Sequence, residues 1–468
     1  IGLVQEETGI SPGRWSRNLL SGVFNLARRH APERELHTWA YFARDEAELY
    51  ISDFDGGYYA IGPESIEWRY NGTDVYFDGM AAEAEPWEYI PEDERPEPPD
   101  EIPGERPIWH GRGDRVHRYL TNRINYDDDA ALAPAQQRKQ LYLHLHAMPF
   151  GSIFRGRPIM AFIGNKGSGK TMITRSIMQL FLGERVNESS MQDSQDDFLA
   201  MVVNSPFTFI DNYDTEEKWA NDVLASVATG ASVKKRELYT TSNLASYQPD
   251  TWLALTSRNP PFNRDDVADR TLVFRVKRLN PDKAEFVGEG TFLNQVTENR
   301  DKILSEYIEN LQAVLREYLK TNTDGMTSSH RMADWAIFAK VIAQALNIDD
   351  LDKLLKTMQT ERANFALEDD RTARYISAWI KQNPEKASTW RKAGELLDVM
   401  KGNGDLPGMI EYENAAGFGF YLNQHRDEYG ELLGLQINDD RSPKEYAFDV
   451  DLEDGGTARG GIGLEKFD

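Results

Sequence analysis

The chain has 468 residues, enough for roughly two to four domains around a large core. Cysteine is absent, which excludes disulfides and any Cys-ligated zinc site, zinc ribbons included. A total of 53 Lys and Arg against 77 Asp and Glu gives a formal charge of −24, awkward for a nucleic-acid binder because phosphate contacts need positive charge.

Two readings of that charge stand. One is an acidic enzyme that never meets DNA. The other is a protein of a high-salt cytoplasm, where an acidic surface aids solubility and the Debye length shrinks to about 3 Å at 1 M salt. The acids run along the whole chain, which favours the halophilic reading and leaves only local basic clusters informative. The chain starts at Ile1, which points to trimming or processing. No apolar run approaches the roughly 18–20 residues that span a bilayer, and no signal pattern opens the chain, so a cytoplasmic protein without membrane contact is expected.

In chain order, residues 1–35 read as helix, with Leu19, Leu20, Val23, Phe24 and Leu26 on one side. Residues 36–80 alternate aromatic and polar residues between DGG, GPE and NGT turns, the pattern of a small antiparallel β unit. Residues 1–80 are therefore expected to form a helical and β-rich N-terminal domain. Residues 81–112 are rich in Pro and Glu and read as an acidic linker or belt.

Residues 113–150 look helical, and His144 and His146 within them read as packing or surface residues rather than ligands. Short apolar strands then alternate with helices, the sign of a parallel sheet in an α/β core at 113–285. A helical lid is expected at 286–380. Residues 385–450 read as helix, loop, helix and strand, the size and order of a winged helix. The Gly-rich tail at 451–468 reads as disordered.

The chemistry concentrates at GNKGSGKT, where Gly164, Asn165, Lys166, Gly167, Ser168, Gly169, Lys170 and Thr171 satisfy G-x-x-x-x-G-K-[ST] in full. Glycines let backbone N–H groups turn onto phosphate oxygens. Lys170 would reach the β- and γ-phosphates, the Thr171 hydroxyl would bind Mg²⁺, and the following helix from Met172 onward aims its positive end at the anion. IMAFI enters the loop as a strand and TMITRSIMQLF leaves it as a helix, as the motif requires. ATP and Mg²⁺ are the expected cofactors.

A second Mg²⁺ ligand should end an apolar strand, and PFTFIDNYD supplies Asp211. Asn212 follows where many hydrolases carry a water-activating Glu, and Asp214 is an alternative base. TWLALTSRNPPF reads as a strand ending beside the γ-phosphate, with Ser257 or Asn259 positioning the attacking water. Arg270 precedes an apolar strand, where an arginine is placed to reach a neighbouring subunit's γ-phosphate. The plainer alternative pairs Arg270 with Asp269 or Asp266 at the surface. Arg264 is the weaker candidate.

Taken in order, GNKGSGKT, FIDN, ATGASVKKRELYTTSN, LALTSRN and DRTLVF resemble the AAA+ ATPases of superfamily 3 helicase type. The resemblance is nearest to poxvirus-type primase–helicases and the related ATPases of phages, plasmids and integrated elements. The segments HRMADWAIFAKVIAQAL and NGTDVYF also match, and the similarity covers roughly residues 36–450. The phosphate loop alone is generic, whereas the ordered series is more specific.

The resemblance implies a P-loop AAA+ core, a hexameric ring with ATP hydrolysis at subunit interfaces, and single-stranded or forked DNA drawn through the pore. The DNA-contacting hairpin of such rings falls on SVKKRELYTTSNLASYQ, where Lys234, Lys235 and Arg236 form a dense basic cluster. Cations lining a pore can follow a phosphate backbone even when the outer surface is acidic. A solvated charge run is the alternative, and Tyr239 and Tyr247 would stack on bases or simply pack.

Two departures stand out. The third motif reads Thr-Ser-Arg-Asn in place of Thr-Ser-Asn, and Asn212 replaces a second acid. Asp53 and Asp55 imitate a primase metal motif, but a DGG turn explains them better, so any primase is absent or on a separate chain. Arg331 is a candidate sensor at the start of the lid. The expected function is an ATP-driven DNA helicase or translocase for replication of a virus, plasmid or integrated element. The alternatives are a regulatory or defence switch that binds nucleic acid without unwinding and, more weakly, a small-molecule P-loop kinase.

Overall fold

The sequence carries four apolar runs, IMAFI, FTFI, WLAL and TLVF, and together they make the central sheet of the molecule. The structure, a computed structural model, describes residues 34–451 and 457–458 except 79–83, 107–113, 186–188, 191, 193, 204, 214–217, 232, 237–243, 248–249, 259–264, 281–285, 322, 324–325, 329, 331, 368–369, 403–405 and 407–408.

The chain opens with six strands, β1 (Leu36–His37), β2 (Ala40–Ala43), β3 (Glu48–Ser52), β4 (Gly57–Ile61), β5 (Ile66–Tyr70) and β6 (Tyr76–Phe77). Strands β2 to β5 form an antiparallel meander, and β1 pairs with β6 in parallel. The DGG turn joins β3 to β4. There Asp53 Oδ1 accepts the N–H groups of Asp55 and Gly57 at 2.7 and 2.9 Å, and Asp53 Oδ2 accepts Trp68 Nε1–H at 2.6 Å. Those partners make Asp53 a turn residue.

The meander shares a core with the rest of the molecule. Trp39 packs on Phe181 and Phe207, and Phe42 packs on Phe150. The Pro- and Glu-rich stretch is a belt laid on that core. Trp87 is buried with its indole N–H on Ser52 O, Glu85 N–H reaches Leu182 O, and Arg95 pairs with Glu309 at 2.5 Å. Single apolar anchors such as Trp87 and Ile102 hold an otherwise polar segment in place.

Helices α1 (Arg115–Tyr119) and α2 (Pro134–Ala147) lead into β7 (Ile159–Ile163), followed by α3 (Lys170–Leu182), β8 (Ser189–Ser190), α4 (Gln195–Val203), β9 (Phe207–Asp211) and α5 (Lys218–Ala228). A hairpin of β10 (Val233–Arg236) and β11 (Leu244–Tyr247) precedes β12 (Trp252–Ser257), α6 (Asp265–Ala268) and β13 (Thr271–Arg275). The central sheet has the order β13-β7-β12-β9-β8, and every pair in it is parallel.

Side chains alternate across that sheet with the two-residue period of a strand. Met160, Phe162, Phe207, Phe209, Trp252, Ala254, Leu272 and Phe274 face the core shared with α3 and the N-terminal strands. Ile159, Ala161, Ile163, Ile210, Leu253, Leu255 and Val273 face a second core under α4 and α5. Burial on both faces explains why these strands read as continuous apolar runs. His144 and His146 lie fully buried, His144 edge-on to Trp252 and His146 against Tyr142.

Helices α7 (Glu289–Glu298), α8 (Arg300–Lys320), α9 (Ala333–Ala345) and α10 (Leu351–Leu367) follow. The C-terminal part has a core of its own, built from α11 (Arg371–Gln382), α12 (Pro384–Ala387), β14 (Arg391–Lys392), α13 (Ala393–Lys401), α14 (Ala415–Gln424), α15 (Arg426–Leu433), β15 (Leu435–Asn438) and β16 (Glu445–Phe448). Its antiparallel sheet runs β14-β16-β15. This core begins at Ala373, twelve residues before the expected boundary, because Ile376, Trp379 and Ile380 of α11 pack into it. The expected single helix FGFYLNQHRDEYGELL breaks at His425 into α14 and α15. Among the described residues no helix is long and apolar enough to cross a membrane.

Candidate functional site

The site forms where the parallel strands end, the usual ligand face of an open α/β sheet. Strand β7 stops at Ile163, whose carbonyl accepts Val276 N–H at 2.8 Å, and Gly164 N–H donates to Ser257 O at 3.2 Å. A side chain on Gly164 would collide with the Val276 carbonyl and crowd Ser168 Oγ at 2.9 Å. Only glycine fits there, so the loop leaves the sheet between two neighbouring strands. Gly167 and Gly169 then take left-handed backbones, with φ of 80° and 86°.

Gly169 caps α3, a helix of 13 residues whose first N–H groups and positive dipole end face the loop. Lys170 is buried, and its ammonium lies over the loop, donating to Gly164 O at 2.6 Å and Asn165 O at 3.1 Å. Asn165, Lys166 and Gly167 are exposed along the loop, and Met172 rests against the core. Ser168 is buried, and its hydroxyl oxygen has no hydrogen-bond partner among the described residues. A buried polar atom without a partner inside an anion-shaped loop is a place for a ligand oxygen.

Asp211 ends β9 beside α3. Its Oδ1 accepts the Thr171 hydroxyl at 2.7 Å and the Thr256 hydroxyl at 2.7 Å, and its Oδ2 accepts the Asn212 amide at 2.9 Å. Asn212 is exposed and takes a left-handed backbone with φ of 52°, a conformation Asn tolerates better than most residues. That turn folds its amide back onto Asp211. Two hard oxygen donors, Thr171 Oγ1 and Asp211 Oδ1, thus sit side by side. This donor chemistry fits Mg²⁺, which takes few protein ligands and keeps its remaining positions for water and phosphate.

Sequence reasoning missed two residues here. It named Ser257 and Asn259 at the end of β12 and did not name Thr256, which the two-residue alternation puts on the same face as Phe209 and Asp211. Strand period alone carried that signal. The second is Arg278, which follows β13. Its Cδ and Nε lie 3.8 Å from where a Gly167 side chain would begin. Its ion-pairing partners are none among the described residues, whereas its neighbour Lys277 pairs with Asp127 and Asp128.

Arg270 sits at the other end of the sheet. Its carbonyl accepts Ile159 N–H at 2.9 Å at the start of β7, and β13 runs beside β7 from Thr271↔Ile159 to Arg275↔Ile163. Five residues of strand, about 16 Å, separate it from its own glycine loop. It lines a groove of about 790 Å³ with Arg155, Arg157, Asp334 and Trp335. The backbones of Lys234, Lys235 and Arg236 pair with Ser246, Ala245 and Leu244 in the β10–β11 hairpin. Asp214, Asn259, Arg264 and Arg331 lie outside the described residues.

Residues 148–369, a little under half of the chain, match the family model of the actinomycete integrative conjugative element replication protein. That match takes in the whole parallel sheet, the glycine loop and α7 to α10. No curated protein matches the chain. Among solved structures, "SCCmec type IV Cch - active helicase" aligns at a TM-score of 0.37 and 13% identity, covering 87% of this chain and 76% of that one. The apo structure of the NrS-1 C-terminal region (305-718) aligns at 0.37 and 11%, covering 84% of this chain and 93% of that one. TM-scores this low do not establish a common fold. Over its sheet and the helices that follow, the chain is similar to a mobile-element replication protein.

Proposed function

We propose that the chain is an ATP-dependent DNA helicase or translocase that works as a ring in the replication of a mobile element. The observation that carries the reading is the Thr171–Asp211 pair at 2.7 Å, set at the mouth of a glycine loop that opens a helix. The match of residues 148–369 to a replication-protein family supports the biological setting.

In this reading the loop N–H groups and the α3 N-terminus hold the phosphates of ATP. The Lys170 ammonium exchanges its loop carbonyls for β- and γ-phosphate oxygens. Thr171 and Asp211 would hold Mg²⁺, which neutralises charge on the phosphates when bound. Asn259 is assigned the attacking water. Arg270 stands too far along the sheet to serve its own loop, so its role is in trans, on the nucleotide of the next copy in a head-to-tail ring. The β10–β11 hairpin carries Lys234, Lys235 and Arg236 toward single-stranded DNA in the pore.

The test is the ATP turnover of the full chain with and without single-stranded DNA, beside Lys170→Ala and the double variant Lys234→Ala/Lys235→Ala. Stimulation by DNA that the double variant loses, with basal turnover kept, is the expected result. Equal loss of basal turnover would remove the hairpin from DNA contact.

A second reading rests on Asn212. An amide cannot take a proton from water, and this one is tied to Asp211. ATP binding with little turnover, unchanged by DNA, would make the protein a nucleotide-set switch.

A further inference from the structure

The Thr256 hydroxyl joins three parts of the site that are far apart in sequence. It is fully buried at the end of β12. It donates its hydrogen to Asp211 Oδ1 at 2.7 Å and accepts Asn212 N–H at 2.9 Å. The Thr256 carbonyl also accepts Tyr213 N–H at 2.7 Å. One residue therefore pins both the carboxylate and the left-handed turn that follows it.

We infer that Thr256 is a positioning residue for metal–nucleotide binding, a conclusion that rests on the nucleotide reading above. A carboxylate on a strand end is free to rotate about its side-chain bonds unless donors fix it. Asp211 has three donors among the described residues, and the Thr171 hydroxyl must turn its lone pair outward to serve as a metal ligand. Thr256 and Asn212 are the two that remain. Asn212 is exposed, and its own backbone N–H is held by Thr256, so both fixings trace to one hydroxyl. Without it, Oδ1 no longer stays beside Thr171. Strand β12 begins five residues after the hairpin ends at Tyr247, so the same hydroxyl stands on the segment that connects the hairpin to the metal pair.

The experiment is equilibrium binding of a fluorescent ATP analogue to the full chain, once with excess Mg²⁺ and once with EDTA. The variants are Thr256→Val, which keeps the shape and removes the hydroxyl, Thr256→Ala, and Thr256→Ser, which restores the hydroxyl. Thr256→Val and Thr256→Ala are expected to lose about tenfold in affinity with Mg²⁺, the scale of one hydrogen bond to a charged group. They keep wild-type affinity in EDTA, and Thr256→Ser recovers most of the loss. If Thr256→Val does not fold, Thr256→Ala against Thr256→Ser still isolates the hydroxyl, since both are smaller than threonine.

Wild-type affinity in Mg²⁺ for the hydroxyl-free variants overturns the inference, as does an equal loss in EDTA. The nucleotide reading itself fails differently. In that case the wild-type chain binds the analogue no better than Lys170→Ala does.

Discussion

The two ends of the central sheet are built from the same five strands and do opposite things with them. At the C-terminal end, strand ends and glycines close on each other: Gly164 against Val276, Thr171 on Asp211, Thr256 on both Asp211 and Asn212. Each of these contacts is made within one chain. At the N-terminal end, Arg270, Arg155 and Arg157 open onto a groove of about 790 Å³. The difference teaches that a self-contained glycine loop can be read from one copy, whereas in the proposed ring the far end would gain its meaning from a second copy stacked head to tail.

The largest effect expected is at the self-contained end. Lys170→Ala should reduce ATP turnover to background, a loss of about 1,000-fold or more on the scale of removing a charged phosphate donor. The folded state should survive, because the lysine's bonds to Gly164 O and Asn165 O tie it to the loop and not to the core. Turnover within tenfold of wild type would break the reading of that end.

Next comes the far end. Arg270→Ala should cost about 1,000-fold in turnover while nucleotide affinity stays as it was, since the side chain cannot reach its own loop. Mixing sharpens the contrast. Neither Arg270→Ala nor Lys170→Ala should be active alone, yet in the proposed ring a mixture should regain turnover, because an intact loop would then meet an intact arginine from its neighbour. No recovery in the mixture, measured across mixing ratios, would mean that the two ends do not meet.

Smaller again is Gly164→Ala. A methyl group there meets the Val276 carbonyl and cannot be accommodated by a rotamer change. A cost of about 1–3 kcal/mol in unfolding free energy is expected, with weakened nucleotide binding. Gly167→Ala meets nothing closer than 3.8 Å and is penalised only by its φ of 80°, so it should cost less. Chemical denaturation of the two variants separates collision from backbone strain.

The same contrast describes how much the sequence disclosed. The glycine loop, the Asp211 strand end and the parallel sheet were legible because each is a local pattern: fixed spacing, a run of apolar residues, a carboxylate at its end. Thr256 was passed over, although the alternation of Phe207, Phe209 and Asp211 with Trp252, Ala254 and Thr256 was in the letters. Face assignment needs two strands held in register, and only pairing of Leu255 with Ile210 fixes that. The Pro- and Glu-rich belt was legible as non-core by composition, but its anchoring depends on single residues. Trp87 and Arg95 find Ser52 and Glu309 across long stretches of chain. The start of the C-terminal core at Ala373 was hidden for a similar reason, since a helix pattern says which face is apolar but not which core receives it.

The smallest effect is one of acidity, and it tests the sheet between the two ends. His144 is completely buried against Trp252, with neither ring nitrogen hydrogen-bonded among the described residues. Burial lowers its pKa from 6.5 to about 3. The unfolded chain therefore takes up the proton first. Stability contributed by the neutral ring is fully present above pH 6.5 and is lost as pH falls toward 3. His117 follows the same course, since burial, and then the charge of Arg138, lower its pKa to about 3. Replacing His144 by phenylalanine removes one of these titrations without opening a cavity or adding a polar group. Unfolding free energy measured by denaturant between pH 6.5 and 4.5 should then decline less steeply, by about 1 kcal/mol per pH unit. An unchanged slope would mean that the ring finds water or a partner on protonation, and that the core beneath the two ends is more open than its packing indicates.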